Sequence, residues 1–565
     1  TENMINGIMY LMPTVIDDSG NGDYTWTEAT TREWVSGNGT WENPYVIENI
    51  VIDPSVIGLQ YDNGSCLEIK NSEAYFIVKK SIFKGSGSVM GDAGLRLENA
   101  SNGQIFNNTA SDNGGGGIWL EAGSHYNTVV ENVARRNVNL GIGVYLICQD
   151  SKLLNNTVSH TVYYGLGGYY SSNNIFKFND VSYQVEDQEQ GTYGRGIVFN
   201  HGVNNIISNN TVYENADGFE LLNSTNNLIC NNTIYNNTHL GIMNLHSNQT
   251  HVLNNKIFNN GESAIELQVA TGGVGYCNNN TIEGNLITGN LHGIVFRLES
   301  QGDNTYLYCK DNTIVGNNIT GNYGNGVDFI IEADYSNNMV YCSDNAIKNN
   351  TFTENLLNND GGAEILIDLD QVSNVELINT TISHNIITHA GIVEDTLLLR
   401  GGSSYTLTGN EIYGDGYHIY GTRSELTSNA IDSSNLINGN PFYYYANVKG
   451  LIASDFTGAG QVFLVNVSDS IISGVNISGI ATVVSVLHSD NITITNNEMH
   501  DFYLHGIVLE NTSNCEINTN VLSDCSVIYQ GAIALYTGSE RNTISSNEIH
   551  RLHEGFGIMV HTSDN

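Results

Sequence analysis

Short runs of alternating apolar and polar residues, separated by polar turns, recur along the chain. Such runs open at Gly196, Gly218, Gly241 and Ala264, which are steps of 22, 23 and 23 residues, and later steps reach 33 residues. Alternation with a period of two is typical of β-strands, and no segment shows a sustained 3.6-residue stripe. The pattern therefore predicts short strands that recur with the period of these 22- to 33-residue steps.

A unit of this length cannot bury its apolar side alone, so neighbouring units must stack to share a core. Parallel crossover connections are right-handed in nearly all proteins. We therefore predict an all-β fold, a right-handed parallel β-helix, in which coils stacked roughly 4.8 Å apart form a solenoid on the order of 100 Å long.

An Asn-Asn-Thr-Ile element or a close variant recurs once in most units. Asparagines that stack in register can hydrogen-bond to one another through their side-chain amides along the axis of the stack. We therefore expect one inward-facing asparagine ladder. Its expected members include Asn108, Asn156, Asn210, Asn232 and Asn255.

The repeat divides the chain into four zones. Residues 1–44 lack the repeat, hold three of the four tryptophans and are predicted to be an N-terminal cap or interaction segment that covers the first coil. Residues 45–430 are predicted to form a β-helix with insertions, 431–458 a junction that breaks it, and 459–565 its continuation. Because the repeat is still running at residue 565, we expect the native protein to extend further.

Charge limits the choice of partners. The chain has 59 Asp and Glu against 20 Lys and Arg, a formal net charge of −39. Such a surface repels nucleic acid and anionic lipid and attracts divalent cations. No run approaches the roughly 20 apolar residues of a membrane-spanning helix. We expect no nucleic-acid partner and no membrane-spanning segment in this stretch.

Three segments carry a family resemblance: the opening Gly37-Asn38-Gly39-Thr40-Trp41-Glu42-Asn43-Pro44, the Asn-Asn-Thr-Ile coils, and the break from Leu436 to Tyr445. Together they resemble the NosD-type right-handed β-helix proteins that are abundant in archaea. The resemblance implies a β-helix outside the cytoplasm. It leaves the activity open, because such repeats occur in lyases, epimerases, copper-maturation factors and surface proteins.

The copper chemistry that the NosD resemblance suggests needs clustered soft ligands. The 8 Met and 16 His of this chain are mostly isolated, so the sequence does not favour a copper site. The Asp-Pro-His-Asp motif of alginate-type epimerases is matched only by Asp53-Pro54-Ser55-Val56, which lacks the histidine and the second aspartate.

Alternation predicts one outward column on the glycine-led strands. Glu220 and Glu266, two coils and roughly 10 Å apart, are the catalytic candidates if the protein is an enzyme. Trp119 and Tyr145 are candidates for stacking on sugar rings. A solvated sheet face without a site is the other interpretation. The predicted exposed column comprises Arg96, Trp119, Tyr145, Glu220, Met243, Glu266, Val295 and Asp328.

Two further clusters carry candidate chemistry. Glu364, Asp368 and Asp370 supply oxygen ligands of the kind that calcium prefers. The second cluster, Cys277, Cys309 and Cys342, precedes three similar turns at steps of 32 and 33 residues, which predicts a stack. Neighbouring coils bring cysteines within reach of a disulfide, and a ladder of buried small side chains is the alternative.

Asn-x-Ser/Thr sequons are frequent, and many coincide with the Asn-Asn-Thr turn, where the asparagine is expected in the ladder and inaccessible. Glycans are therefore expected on the sequons outside the ladder. The candidates are Asn38, Asn63, Asn223, Asn248, Asn466 and Asn491.

The sequence favours an extracellular structural or interaction protein, a non-catalytic rod of a surface layer, sheath, filament or stalk. It would assemble with copies of itself through tyrosine-rich faces, notably Tyr163-Tyr164, Tyr169-Tyr170 and Tyr443–Tyr445, with calcium bridging carboxylates. Stacking of these tyrosines on sugars is the competing account. The alternative is a carbohydrate-active enzyme or carbohydrate-binding protein of the lyase or epimerase type, with a polysaccharide as partner. A periplasmic maturation factor is a third possibility.

Overall fold

The computed structural model describes residues 3–5, 8–57, 63–184, 194–333, 337–357, 362–369, 374–389 and 395–561. The chain divides into two compact units, one of residues 1–269 and 276–291 and the other of residues 270–275 and 292–565. Each unit is a stack of coils whose strands pair in parallel with those of the next coil. The predicted right-handed parallel β-helix is therefore confirmed.

The first unit is built from three columns of strands. The first column, called the face sheet below, contains Thr14–Asp17, Leu67–Ser72, Ala93–Ala100, Gly116–Glu121, Leu140–Tyr145, Tyr164–Tyr169, Arg195–Asn200, Asp217–Leu222, Ile242–Leu245 and Ser263–Thr271. The second contains Val35–Ser36, Tyr45–Glu48, Phe76–Lys79, Gly103–Phe106, Thr128–Val130, Lys152–Leu154, Ile175–Lys177, Ile206–Ser208, Leu228–Cys230, His251–Leu253 and Thr281–Glu283. The third contains Asn3–Ile5, Ile8–Leu11, Ile50–Ile52, Ile82–Lys84, Thr109–Ser111, Val133–Arg135, Thr157–Ser159, Asp180–Ser182, Thr211–Tyr213, Thr233–Tyr235, Lys256–Phe258 and Leu286–Thr288.

The second unit repeats this plan in two groups of coils. The first group contains His292–Ser300, Val327–Glu332, Ala363–Asp368, Asp395–Arg400, Tyr417–Tyr420, Tyr306–Lys310, Met339–Ser343, Val375–Ile378, Thr313–Val315, Ala346–Lys348, Thr381–Ser383, Thr406–Thr408, Ala430–Ile431, Asn318–Thr320, Thr351–Thr353, Ile386–Thr388, Glu411–Tyr413 and Leu436–Ile437. The second group contains Asn440–Ala446, Gln461–Val465, Ser468–Ser473, Asn476–Ser478, Thr482–Leu487, Asp490–Thr495, Glu498–His500, His505–Glu510, Glu516–Asn518, Val521–Leu535, Thr543–Ser545 and Glu548–Val560. The strand Val274–Tyr276 lies where the chain passes between units, and the short helices are Trp26–Ala29, Pro54–Ile57, Arg423–Ser428 and Ala453–Phe456.

Asparagine ladders run through the interior of both units. In the first unit the Nδ2 of each ladder asparagine donates to the Oδ1 of the asparagine one coil further on, at 2.9–3.1 Å. The first asparagine of each Asn-Asn pair makes the turn, as Asn231 does with a φ of 55°. The second asparagine, here Asn232, points inward. This ladder consists of Asn108, Asn132, Asn156, Asn179, Asn210, Asn232, Asn255 and Asn285.

The sequence predicted one ladder, but the first unit has three. Asn215, Asn237 and Asn260 stack at a second corner, and Asn174, Asn205 and Asn227 stack at a third. Each corner asparagine also accepts a hydrogen bond from a backbone N–H of the preceding coil, for example from Asn215 to Asn237 at 3.0 Å. The turns thus satisfy their backbone donors with side-chain amides, because buried N–H groups need partners.

Residues 1–44 join the first coils. Ile8–Leu11 and Thr14–Asp17 pair in parallel with the strands Ile50–Ile52 and Leu67–Ser72. The Trp26 side chain is 1% exposed and stacks on the Tyr45 ring, with centroids 4.6 Å apart. Trp26 therefore extends the apolar interior of these coils.

The segment 431–458 changes the pairing. Leu436–Ile437 pairs antiparallel with Asn440–Ala446, which then pairs in parallel with Gln461–Val465. The hydroxyls of Tyr443, Tyr444 and Tyr445 all donate to backbone carbonyls of the same unit, at 2.9, 2.6 and 2.9 Å. These hydroxyls therefore donate their hydrogen bonds within the same unit. No helix in the described ranges is both long and apolar enough to span a membrane.

Candidate functional site

The outward column of the face sheet runs in register over nine coils. Strand pairing places Trp119 beside Gly143, Gly143 beside Gly167, and Val198 beside Glu220. The whole column reads Glu68, Arg96, Trp119, Gly143, Gly167, Val198, Glu220, Met243 and Glu266. The structure thus shows the predicted alignment of Arg96, Trp119, Glu220, Met243 and Glu266 in one column. The prediction for Tyr145 was wrong: Gly143 takes the column position, and Tyr145, two residues further along the strand, pairs with Tyr169.

The expectation that this column is exposed was wrong. Trp119, Glu220 and Glu266 are 5%, 6% and 4% exposed, and in the second unit Val295 and Asp328 are also buried. The physical reason is that long side chains lie across the sheet and cover one another. Trp119 packs against the Tyr145 ring, with centroids 5.1 Å apart. The column is therefore a sheltered surface, and Trp119 offers no open face to a sugar.

A pocket of about 340 Å³ opens beside this column in the first unit. Its walls include three tyrosines and one buried ion pair, and its size is in the range of small-ligand sites. The lining residues are Tyr145, Tyr164, Gly168, Tyr169, Arg195, Val198, Asn200, Glu220 and Leu222. We call it the tyrosine pocket.

Glycines shape this pocket. Gly143 and Gly167 occupy successive outward positions, so two coils present no side chain in the column. A Cβ built on Gly143 would lie 2.8 Å from Cε2 of Tyr145, which shows that this ring lies over the glycine. Tyr145 pairs in register with Tyr169, and their ring centroids are 6.0 Å apart. The missing side chains thus allow the tyrosines to turn over the sheet.

Charged side chains from two neighbouring strands, Arg195–Asn200 and Asp217–Leu222, lie at the pocket. The Nε atom of Arg195 lies 2.7 Å from Oε2 of Glu220 and 3.6 Å from Oδ2 of Asp217. Burial raises the pKa of the Glu220 carboxyl, while the charge of Arg195 opposes that shift. Burial also raises the pKa of the Tyr145 hydroxyl, so this group stays neutral at physiological pH. The pocket therefore combines three tyrosines with a partly desolvated cluster of one guanidinium and two carboxylates.

Sequence reasoning singled out Tyr145, Glu220 and the doublets that contain Tyr164 and Tyr169, but it missed Arg195 and Asn200. The step from Tyr164 to its partner Arg195 is 31 residues, longer than the regular step, which hides their pairing. The doublets Tyr163-Tyr164 and Tyr169-Tyr170 around a glycine-rich strand were the available signal.

The two predicted calcium ligands that the structure describes, Glu364 and Asp368, are held by different partners. Glu364 is fully buried and accepts hydrogen bonds from the backbone and side chain of Asn355, where it ends an asparagine ladder. Asp368 pairs with Arg400 at 2.9 Å, and Asp370 lies outside the described residues. Within the described ranges, no group of three His, Cys, Asp or Glu side chains is placed to hold a metal ion.

Cys277, Cys309 and Cys342 are all buried, and all eight cysteines are free thiols. In the second unit Cys309 stands in register with Cys342 on adjacent coils. Each accepts a hydrogen bond at 3.3 Å from a corner asparagine, Asn312 or Asn345. The thiols of this pair are thus packed and hydrogen-bonded within the turn.

The sequons differ in accessibility. Asn63 and Asn223 are exposed, and neither side chain makes a hydrogen bond within the described parts of the chain. Asn38 and Asn491 are exposed but hydrogen-bonded, to Thr40 and to Asp469. Asn248 and Asn466 are half-buried. Asn63 and Asn223 therefore remain the most accessible candidates.

Comparison with protein families assigns the chain. The model described as "Right handed beta helix region" matches residues 34–186 and 366–565, more than half of the sequence. The chain belongs to this right-handed β-helix family. A second model, "Periplasmic copper-binding protein (NosD)", matches residues 184–325, so the NosD-type resemblance is confirmed. The described residues of this β-helix do not supply clustered copper ligands. An archaeal origin stays a prediction.

Solved structures show similar β-helices at low identity. The A-module of mannuronan C-5 epimerase AlgE6 from Azotobacter vinelandii is 18% identical over 66% of this chain and 91% of that chain, with a TM-score of 0.41. A PL6-family alginate lyase, AlyGC, is 11% identical over 95% and 100%, with a TM-score of 0.36. The Dettilon tailspike protein is 15% identical over 68% and 63%, with a TM-score of 0.33. No curated protein matches the sequence. All three similarities are too distant to assign an activity.

Proposed function

We propose that this β-helix is an extracytoplasmic carbohydrate-binding protein and that the tyrosine pocket of the first unit holds a sugar ring. The observation that carries the proposal is the pocket itself, where three tyrosines stand beside the Arg195–Glu220 pair. Sugars present apolar C–H faces that pack on aromatic rings and hydroxyls that pair with planar polar side chains.

The polar groups suit hydroxyl recognition. Glu220 carries two acceptor oxygens, of which Oε2 faces Arg195. Asn200 stands in register with Tyr169 on the next strand and can both donate and accept. Because the pocket is partly desolvated, each hydrogen bond made there is worth more than one made in water. The site therefore offers one stacking surface and at least two hydrogen-bonding partners.

The arrangement favours binding over catalysis. The predicted catalytic pair Glu220 and Glu266 has Met243 between its members in the same column. A hydrolytic pair needs room for the sugar ring and a water between its carboxylates. The closer carboxylate, Asp217, shares Arg195 with Glu220, so one cation faces both. Both carboxylates are thus held by one guanidinium.

A glycan-binding assay tests the proposal. The natural-length chain would be screened against neutral and acidic oligosaccharides, and the best ligand titrated by calorimetry. Replacing Tyr169 with Leu should weaken binding by about tenfold because one stacking surface is lost, whereas Tyr169→Phe should keep most of the affinity. Glu220→Gln should weaken binding by removing a charged acceptor.

Tyr306→Ala is the matched control, since Tyr306 is an exposed strand tyrosine far along the chain in the second unit. It should leave the affinity unchanged. Absence of glycan binding by the wild type, or equal losses in Tyr169→Leu and Tyr306→Ala, would contradict the proposal. Turnover of a polysaccharide that Glu220→Gln abolishes would show an enzyme instead.

A second candidate function is that of a building block of a surface assembly. It is favoured by an exposed apolar patch in the first unit, where Ile147, Tyr170 and Val203 are 64%, 46% and 39% exposed. Contact with a second copy would bury this patch, and calcium would offset the repulsion of acidic surfaces. Electron microscopy with and without a chelator tests this. Ordered assemblies that Ile147→Ser disperses would support it, and monomers under both conditions would exclude it.

A further inference from the structure

The second unit has a pocket of its own, of about 430 Å³, on the outward side of the strands Thr482–Leu487 and His505–Glu510. Its floor is the column Phe463, Ser485 and Val508, which pair in register. We call it the Glu510 pocket. It is separate from the tyrosine pocket, and none of its residues was singled out by the sequence analysis as a site.

The lining of the Glu510 pocket contains a carboxylate that no lysine or arginine of the lining neutralises. Glu510 is only half-buried, and its carboxylate has no hydrogen bond or ion pair with any residue in the described ranges. Burial raises the pKa of this carboxyl, and nothing in its surroundings offsets that cost. The lining contains no lysine or arginine. A carboxylate that is partly desolvated and unpaired is complementary to a cation supplied from outside.

Aromatic rings accompany the carboxylate. Phe463 and Tyr536 line the same pocket, and the backbone N–H of Tyr536 donates to the carbonyl of Leu509, the residue before Glu510, at 2.8 Å. Aromatic faces attract cations most strongly when these are weakly hydrated, as organic ammonium groups are. Tyr420 also lines the pocket, but Arg400 already lies over its ring, 5.4 Å from the centroid. That ring is not needed for the inference.

Two histidines, His418 and His505, line the wall of the pocket. The Nδ1 of His505 donates to the backbone oxygen of Gly531 at 2.8 Å, and its Nε2 lies 3.2 Å from the hydroxyl of Tyr536. Burial lowers the pKa of His505, so the ring is neutral at physiological pH. The hydroxyl of Tyr536 donates to Oε1 of Gln530 at 2.7 Å. His505 therefore adds no positive charge that would compete for Glu510.

We infer that the Glu510 pocket binds the ammonium group of a small organic cation, with Glu510 as counter-ion and aromatic rings around it. A net charge of −39 on the chain also draws cations toward the protein and repels acids. A uronate, with its negative charge, is disfavoured at this pocket. Choline and glucosamine have the right charge and a size that 430 Å³ accommodates.

Paired probes that differ only in charge test the inference on the wild-type chain. Choline is compared with its neutral isostere 3,3-dimethylbutan-1-ol, and glucosamine with glucose and with glucuronate, by NMR titration at constant ionic strength. We expect the cation of each pair to bind at least about tenfold more tightly. Binding of the neutral isostere within threefold of choline, or preference for glucuronate, would overturn the inference.

Variants locate the effect. Glu510→Gln should weaken choline binding by about tenfold or more and leave the neutral isostere unchanged. The control Glu516→Gln removes the same formal charge from an exposed position on the strand Glu516–Asn518 and should have no effect beyond twofold. Equal losses in both variants would mean that the overall charge, and not the pocket, attracts the cation. Because the wild-type comparison needs no variant, the inference can be tested even if Glu510→Gln folds poorly.

Discussion

Replacing Asn232 with alanine tests the physical basis of the fold. The side chain of Asn232 is 1% exposed and makes four hydrogen bonds. Its Oδ1 accepts from the backbone N–H and the side-chain amide of Asn210, at 2.9 and 3.0 Å. Its Nδ2 donates to the carbonyl of Ile207 at 3.0 Å and to Oδ1 of Asn255 at 2.9 Å. Alanine removes all four.

The cost is set by the groups left behind. The amide of Asn210 still donates to the carbonyl of Phe176, and Oδ1 of Asn255 still accepts from the backbone N–H of residue 232. The backbone N–H of Asn210, however, is left buried with no acceptor. One stranded donor costs about 1–3 kcal/mol. With the small cavity added, we expect Asn232→Ala to lower the free energy of unfolding by about 3 kcal/mol.

Native-state hydrogen exchange is the right assay, because a stack of coils can open locally without unfolding as a whole. A loss of about 3 kcal/mol should raise the exchange rate of the Asn210 amide by about a hundredfold. Asn476→Ala is the control, since Asn476 is an exposed strand asparagine that donates only to Glu498. If Asn232→Ala changes exchange no more than Asn476→Ala does, the ladder does not stabilise the coil and the reasoning is refuted.

Three further predictions follow from burial. Burial lowers the pKa of His505 below its ordinary 6.5, so the folded state binds fewer protons at this residue than the unfolded state does. The free energy of unfolding therefore falls as the pH drops below 6.5. Thermal melts of His505→Gln should show a smaller loss of stability between about pH 7 and 5 than those of the wild type. Mass spectrometry of the native protein should find glycans at Asn63 or Asn223, and occupancy at Asn232 would contradict the ladder. Trp41 is 71% exposed, and the other three tryptophans are at most 5% exposed. Acrylamide should therefore quench mainly the fluorescence of Trp41. Quenching that survives in Trp41→Phe would show that the other tryptophans are accessible.

The fold was predictable because, in a parallel stack of coils, the strand register can be seen in the sequence as a repeat. Strands that pair one coil apart carry the same residue types at the same positions, as Asn210, Asn232 and Asn255 do. The two additional ladders were harder to see because other side chains replace asparagine in them. Ser151 and Thr250 stand at one corner, where Ser151 accepts from the backbone N–H of Asn127. Hydroxyls fill the role of the amide there and interrupt the visible pattern.

The sites were less predictable because they depend on departures from the repeat. Alternation correctly placed Glu220 in the outward column, but it could not show that neighbouring side chains bury it. Exposure depends on how long side chains lie across the sheet, which is a property of several coils together. The Glu510 pocket was missed for a related reason. Its key feature is the lack of a partner for a carboxylate, and a missing contact leaves no motif in the sequence.

Both pockets lie where small residues take the place of large ones in the outward column of a sheet. In the first unit Gly143 and Gly167 leave the outward column empty, and Tyr145 turns into the space. In the second unit the small side chain of Ser485 stands between Phe463 and Val508 in the corresponding floor. A stack of coils has no cleft between domains in which to build a site, so a shortened side chain on a sheltered face is the means available to it. In this chain, then, small residues in an otherwise bulky outward column mark the two pockets, because strand register fixes which residues surround the gap.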